Sequence, residues 1–281
     1  MKNRGKINDV FDKMIHRDEF KLRLLLTNSC NKNCVFCLND FQNKPEKGHP
    51  GYFLDSGLAL IAITAYHNVA VKLGYRAQVY FSGGEPTLHR DFEYLVRAAK
   101  RAGCRVTVNT NGTFEPHLLN VLREVDCLHF GVYEKSTDMA EKISCLNGSV
   151  QCVYSSKDPY VDYDFVRFYL QYGIPVKVFG DLRENPALYE AFANSLRAKF
   201  PSDKDLSFRF IGKQENRGVG CSGCCKNCVT LKAAWVFPDG TITHCPQKPE
   251  TMLGERPHIW AWVDQMNRIE QLHRTECNRG S

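Results

Sequence analysis

Short apolar runs alternate along most of the chain with longer segments whose apolar residues recur at helical spacing. Lys21–Thr27, Ala77–Phe81, Arg105–Asn109, Cys127–Tyr133, Val150–Tyr154, Val176–Phe179 and Leu206–Ile211 read as strands, being brief and bounded by turn residues. Between them Leu54–Leu73, Asp91–Ala102, Glu115–Glu124, Asp138–Cys145, Asp162–Tyr172 and Pro186–Phe200 read as helices. Asp55 or Ser56 is placed to cap the first helix, and Pro186 opens the last. Strands alternating with helices argue for βαβ units around a parallel sheet. The six or seven units counted here fall short of the eight of a closed barrel. The expectation is an α/β fold, a partial (β/α)6 parallel barrel.

The pattern changes after Ile211. Lys213–Cys228 is rich in Gly and Cys and has no periodicity. Two β-prone runs, Thr230–Phe237 and Thr241–His244, then flank Pro238-Asp239-Gly240, which predicts a hairpin. Ile259–His273 reads as a closing helix. The expected organisation is an N-terminal segment over 1–20, a barrel over 21–212, and a small Cys-rich hairpin-plus-helix extension over 213–281. Asn39–Gly51 is a long polar loop, equally readable as a lid or as plain surface.

Composition adds limits. The 281 residues suffice for one large α/β domain with an appendage. A 43% hydrophobic and 24% charged content is that of an ordinary globular protein. The net charge of +6 fits an anionic ligand or RNA, but no dense Lys/Arg run is present, and a solvated basic surface accounts for it equally. No stretch reaches membrane-spanning length, and Met1–Lys13 lacks the apolar segment of a signal peptide. A cytoplasmic protein without a membrane partner is the expectation.

The 13 cysteines are many for such a chain. In a reducing compartment, clustered cysteines point to metal or catalysis rather than to disulfides. Cys104, Cys127, Cys145 and Cys152 are scattered and read as small hydrophobes. Cys30, Cys34 and Cys37 form C-x3-C-x2-C directly after the first strand. Gly83-Gly84 follows the second strand and Asn109-Thr110-Asn111-Gly112 ends the third. Ligand sites in parallel sheets gather at the carboxyl ends of strands, so the three motifs share one rim. Three thiolates hold three corners of a cubane cluster and leave one iron open, whereas four would close it. Zinc would want a fourth ligand close by, and His16 is the only candidate on the N-terminal side.

CNKNCVFC at Cys30–Cys37, with Phe36 before the last cysteine, resembles the signature loop of the radical S-adenosylmethionine (radical SAM) superfamily. FSGGEP at Phe81–Pro86 resembles the same family's GGEP motif, and VNTNG at Val108–Gly112 its polar third-strand end. The resemblance covers roughly Lys21–Ile211. It implies a catalytic 4Fe-4S cluster on Cys30, Cys34 and Cys37, with S-adenosylmethionine (SAM) chelating the open iron. Gly83, Gly84 and Glu85 would line the SAM amino group, Asn109 or Asn111 would reach its ribose or carboxylate, and backbone near Phe36 would meet the adenine. Reductive cleavage would yield a 5′-deoxyadenosyl radical that takes a hydrogen atom from the substrate. Flavodoxin or ferredoxin is the implied reductant.

The second group, Cys221, Cys224, Cys225 and Cys228, is followed beyond the hairpin by Cys245. It resembles the shortened auxiliary-cluster extension called twitch, without that element's usual later cysteine pair. The resemblance implies a second 4Fe-4S cluster, with Cys221, Cys224, Cys228 and Cys245 as ligands and Cys277 as a further candidate. A structural zinc knot is the competing reading. A spare thiol, Cys225 or Cys245, is the candidate catalytic group, able to return a hydrogen atom and so epimerise a substrate; in a dehydrogenase the auxiliary cluster takes the second electron instead. The expected substrate is a small polar molecule, such as a sugar, aminocyclitol, nucleotide or amino acid. The alternatives are a peptide substrate, and a soft atom (sulfur or arsenic) bound at the C-terminal cysteines and functionalised there. The last alternative is a non-catalytic iron–sulfur or zinc protein. Nucleic-acid binding is not expected, because aromatic residues do not interleave with a basic cluster.

Overall fold

The computed structural model describes residues 19–34, 36–37, 51–157, 160–181, 184–201, 203–209 and 233–243. The strands are β1 (Glu19–Leu25), β2 (Arg76–Ser82), β3 (Arg105–Thr110), β4 (Cys127–Gly131), β5 (Ser149–Tyr154), β6 (Val176–Gly180), β7 (Leu206–Arg209), β8 (Ala233–Val236) and β9 (Ile242–Thr243). The helices are α1 (Ser56–Lys72), α2 (Phe92–Arg101), α3 (Leu119–Arg123), α4 (Thr137–Cys145), α5 (Tyr163–Gln171) and α6 (Pro186–Lys199).

Helix starts follow local chemistry. The side chains of Asp55, Ser136, Asp162 and Asn185 accept from backbone N–H groups in the first turns of α1, α4, α5 and α6, satisfying donors a helix leaves orphaned. The segment expected as one helix over Glu115–Glu124 is instead a 3-10 turn, Pro116–Leu118, running into the short α3.

The sheet order is β7-β6-β5-β4-β3-β2-β1-β8-β9. Every pairing is parallel except β8 with β9. Strand order follows chain order from β1 to β7, so crossovers of one hand place the helices on one face. Among the described residues β7 and β9 do not pair, and the barrel is open. On β1 the fully buried Phe20, Leu22 and Leu24 face the helices, with the Phe20 ring 5.4 Å from Tyr66 of α1. Lys21 and Arg23 alternate to the inner face. Val79 and Phe81 on β2, Val106 and Val108 on β3, and Val176 and Val178 on β6 continue the apolar layer.

The expected hairpin exists, turning at Pro238-Asp239-Gly240 with Gly240 at φ 77°. Its position was not expected: β8 lies parallel against β1, with Lys21 opposite Ala233 and Leu24 opposite Val236. The first strand of the barrel is therefore flanked by β2 and by a strand from the far end of the sequence. The expected helix over 259–273 and most of the loop over 39–51 lie outside the described residues. No described helix is long and apolar enough to cross a membrane.

Candidate active site

The chain leaves β1 two residues earlier than the apolar run suggested. Leu26 and Thr27 are shared between β2 and 52–54: Leu26 N donates to Ser82 O at 2.9 Å, Leu54 N donates to Leu26 O at 2.8 Å, and Thr27 forms an antiparallel bridge with Phe53. The Thr27 hydroxyl donates to Tyr52 O at 2.8 Å and accepts from Ser29 N at 3.0 Å. Asn28 Oδ1 accepts from Tyr52 N at 2.7 Å. The start of the cysteine loop is thus fixed before Cys30.

The end of β2 holds the other side. Gly84 N donates to Thr27 O at 2.6 Å and Glu85 N to Ser29 O at 2.8 Å. A Cβ on Gly83, which has φ +129°, would sit 2.4 Å from Thr27 O, and one on Gly84 would sit 1.9 Å from Ser29 O. No side chain fits either gap. The sequence reading assigned these glycines to close approach of a ligand; in the structure the backbone they approach is that of the cysteine loop.

Glu85 is fully buried. Its Oε1 accepts from Thr87 N at 3.2 Å, Thr87 Oγ1 at 2.6 Å and Thr110 Oγ1 at 2.8 Å, and its Oε2 from Asn111 N at 2.7 Å. Burial pushes its carboxyl above the usual range, against the opposing pull of these donors. The carboxylate ties the end of β2 to the end of β3.

The Asn111 side chain, expected at the SAM ribose or carboxylate, turns to the cysteine loop. Its Nδ2 donates to Asn31 Oδ1 at 2.7 Å and to Cys30 Sγ at 3.6 Å. Its Oδ1 accepts from Thr113 N at 2.9 Å and from the Thr113 hydroxyl. Asn31 Nδ2 donates to Thr113 Oγ1 at 2.6 Å. Asn109 is half-buried on the inner face of β3, opposite His129 of β4, and its side chain has no hydrogen-bond partner among the described residues.

Cys30, Cys34 and Cys37 are all half-exposed. Cys37 N donates to Cys34 O at 3.1 Å, closing a turn, and Lys32 N donates to Cys30 Sγ at 3.4 Å. Phe36 is 9% exposed and packs on Tyr133 beyond β4, ring centroids 4.3 Å apart. Burial, then the charges of Cys152, Cys34 and Cys37, push the Tyr133 phenol well above its ordinary range. Further round the rim, Ser155 Oγ donates to Glu184 Oε1 at 2.7 Å and Ser156 N to Glu184 Oε2 at 2.8 Å, tying the end of β5 to the segment after β6. Sequence reasoning missed Tyr133, Thr110, Thr113 and Glu184. Only their places at or just past strand ends could have flagged them. Cys221, Cys224, Cys225, Cys228, Cys245 and Cys277 lie outside the described residues.

The donor set is three thiols from one loop, whereas a structural zinc would want a fourth ligand. Three half-exposed thiols on a loop braced from β2, β3 and β4 suit a wider group with an open corner.

Residues 24–138 match the Radical SAM superfamily. This match, over part of the chain, supports a radical SAM enzyme. The family implies a 4Fe-4S cluster and SAM. The chain is 32% identical to a probable GTP 3′,8-cyclase of Saccharolobus solfataricus over 44% of its own length and 38% of that relative. It is 31% identical to the GTP 3′,8-cyclase of Vibrio cholerae over 39% and 31% of the two chains. The chain thus matches well under half the length of these relatives. In fold it is similar to Streptococcus suis SuiB bound to S-adenosylmethionine, with a TM-score of 0.62 at 12% identity, covering 92% of this chain and 69% of that one.

Proposed function

We propose that Cys30, Cys34 and Cys37 hold the catalytic 4Fe-4S cluster and that the enzyme uses SAM to start radical chemistry on a small polar substrate inside the barrel. The observation that carries this reading is the bracing of the cysteine loop by Gly84 and Glu85 from β2, Asn111 from β3 and Tyr133 from beyond β4. When bound, the cluster and SAM supply an electron and a carbon-centred radical. The residues of the chain do the remaining work. Backbone bonds from Gly84 and Glu85 fix where the loop presents its thiols. The Asn111 amide and the Lys32 N–H donate to Cys30 and disperse thiolate charge. Phe36 and Tyr133 close the site toward β4 and exclude water.

Nucleotides stand first among the substrates to test, because the matched relatives are named GTP 3′,8-cyclases; sugars, aminocyclitols and amino acids follow. Epimerisation or dehydrogenation is the favoured outcome. Residues 213–281 are assigned as a twitch-like extension with a second cluster on Cys221, Cys224, Cys228 and Cys245 and with Cys225 as the hydrogen-returning thiol, or Cys245 in that role where it does not ligate the cluster. The resemblance of the Cys221–Cys245 segment to the twitch element supports this. A flavodoxin or ferredoxin reductant and a cytoplasmic setting complete the reading.

The test is anaerobic reconstitution with iron counting, then incubation with SAM and dithionite. About eight irons per chain with 5′-deoxyadenosine support both clusters. About four irons with 5′-deoxyadenosine keep the radical enzyme and remove the second cluster. An iron-loaded chain that neither binds nor cleaves SAM, and whose Cys30→Ala variant behaves identically, would end the proposal.

A further inference from the structure

The inner face of the sheet is built unlike the helix-covered face. Where the outer layer is Leu, Val, Phe and Ala, the inward positions of β1, β3 and β6 carry Lys21, Arg23, Arg105 and Lys177. Among the described residues within the strands on this face the one carboxylate is Glu19, with the buried Asp181 following directly after β6. Glu19 lies at the first position of β1, away from the cysteine loop, where it meets Arg105 at 3.3 Å and Lys21 at 3.8 Å.

Arg23 has the most specific surroundings. In register it lies between Tyr80 on β2 and Trp235 on β8. Its guanidinium carbon is 4.8 Å from the Tyr80 ring centroid and 4.8 Å from that of Trp235. Rings on both sides hold a guanidinium by cation–π attraction and keep its donors in one plane. Its place on the strand fits a ligand site: Arg23 is two positions before the end of β1, one pleat repeat of about 7 Å below the exit to the cysteine loop. The electrostatics of the face agree. His129, inward on β4, is pushed down to about 4 by burial and by the charges of Lys177 and Arg105.

We infer that the substrate is an anion carrying a phosphate or carboxylate group, and that Arg23, clamped between Tyr80 and Trp235, receives that group. The inference rests on the radical SAM reading, which places the substrate inside the barrel, and it names the substrate's chemical class. A planar fork held in place before the ligand arrives suits bidentate oxyanions, and less of its ordering remains to be done on binding.

The test is binding to the cluster-loaded full chain with SAM and no reductant, read by calorimetry. Guanosine triphosphate against guanosine forms the phosphate arm; citrate against its neutral triamide forms the carboxylate arm. In at least one arm the anion should bind about tenfold or more tighter than its neutral counterpart. Arg23→Gln should remove that difference, and Arg23→Lys should restore part of it. Should Arg23→Gln fail to fold, Lys177→Gln serves in its place and should weaken the anion severalfold. Equal binding of charged and neutral probes in both arms overturns the inference, as does an Arg23→Gln chain that loses SAM affinity while keeping the anion. Formation of 5′-deoxyadenosine by the unaltered chain, measured separately with dithionite, tells a failed radical reading from a failed substrate class.

Discussion

Gly84 sits against Ser29 O with no space for one further carbon. Gly84→Ala must push the end of β2 off the cysteine loop, breaking the bonds from Gly84 N and Glu85 N. Because backbone rather than a side chain blocks the new methyl, little relaxation is available. The expected loss is at least about 2 kcal/mol, seen in urea unfolding, with iron content falling in parallel. Asn111→Leu separates two roles for that side chain. If it acts through Cys30, losing a hydrogen bond worth about 1 kcal/mol to the thiolate lowers the cluster midpoint potential by tens of millivolts, read by redox titration with EPR detection, while SAM affinity holds. A ligand-contacting Asn111 would give the reverse. The cysteine triplet and glycine pair were legible in sequence because loops carry their chemistry at fixed spacing. The partners of Glu85 were not, because Thr110 and Asn111 meet it only through the register of β2 with β3.

Elements were legible to the extent that local chemistry specifies them. Asp162 capping α5 is such a case: its Oδ1 accepts from Phe165 N at 2.7 Å. Asp162→Ala is expected to cost about 1 kcal/mol, measurable as a shift in the denaturation midpoint without loss of fold. Strand ends were less legible. The apolar run Lys21–Thr27 predicted strand pairing to Thr27, yet beyond Leu25 the backbone is shared: Leu26 N and Thr27 O bond to Ser82 O and Gly84 N, while Leu26 O accepts from Leu54 N. Apolar character reports burial, not which neighbour supplies the hydrogen bonds. The Pro-Asp-Gly turn announced the β8–β9 hairpin for the same local reason, while nothing in Ala233–Val236 announced β1 as its parallel partner.

At the scale of the whole molecule the sheet has an apolar side under helices and a charged side within, and that asymmetry has a pH signature. Above pH 6.5 His129 is neutral whether the chain is folded or not. As pH falls below 6.5 the unfolded chain takes up a proton that the folded barrel refuses until about pH 4. Stability is therefore lost across that window, by about 3 kcal/mol in full. His129→Asn should flatten the difference in urea stability between pH 7.5 and pH 5. The pairing of β1 with β8 has a consequence in time. Lys21 leaves the ribosome roughly two hundred residues before Ala233, the partner opposite it. At elongation rates of about 5–20 residues per second, the nascent first strand waits on the order of 10–40 seconds with one edge uncovered. The thiols just beyond it emerge early, into the same interval, so under the proposed function iron delivery and closure of the sheet compete for an unfinished chain.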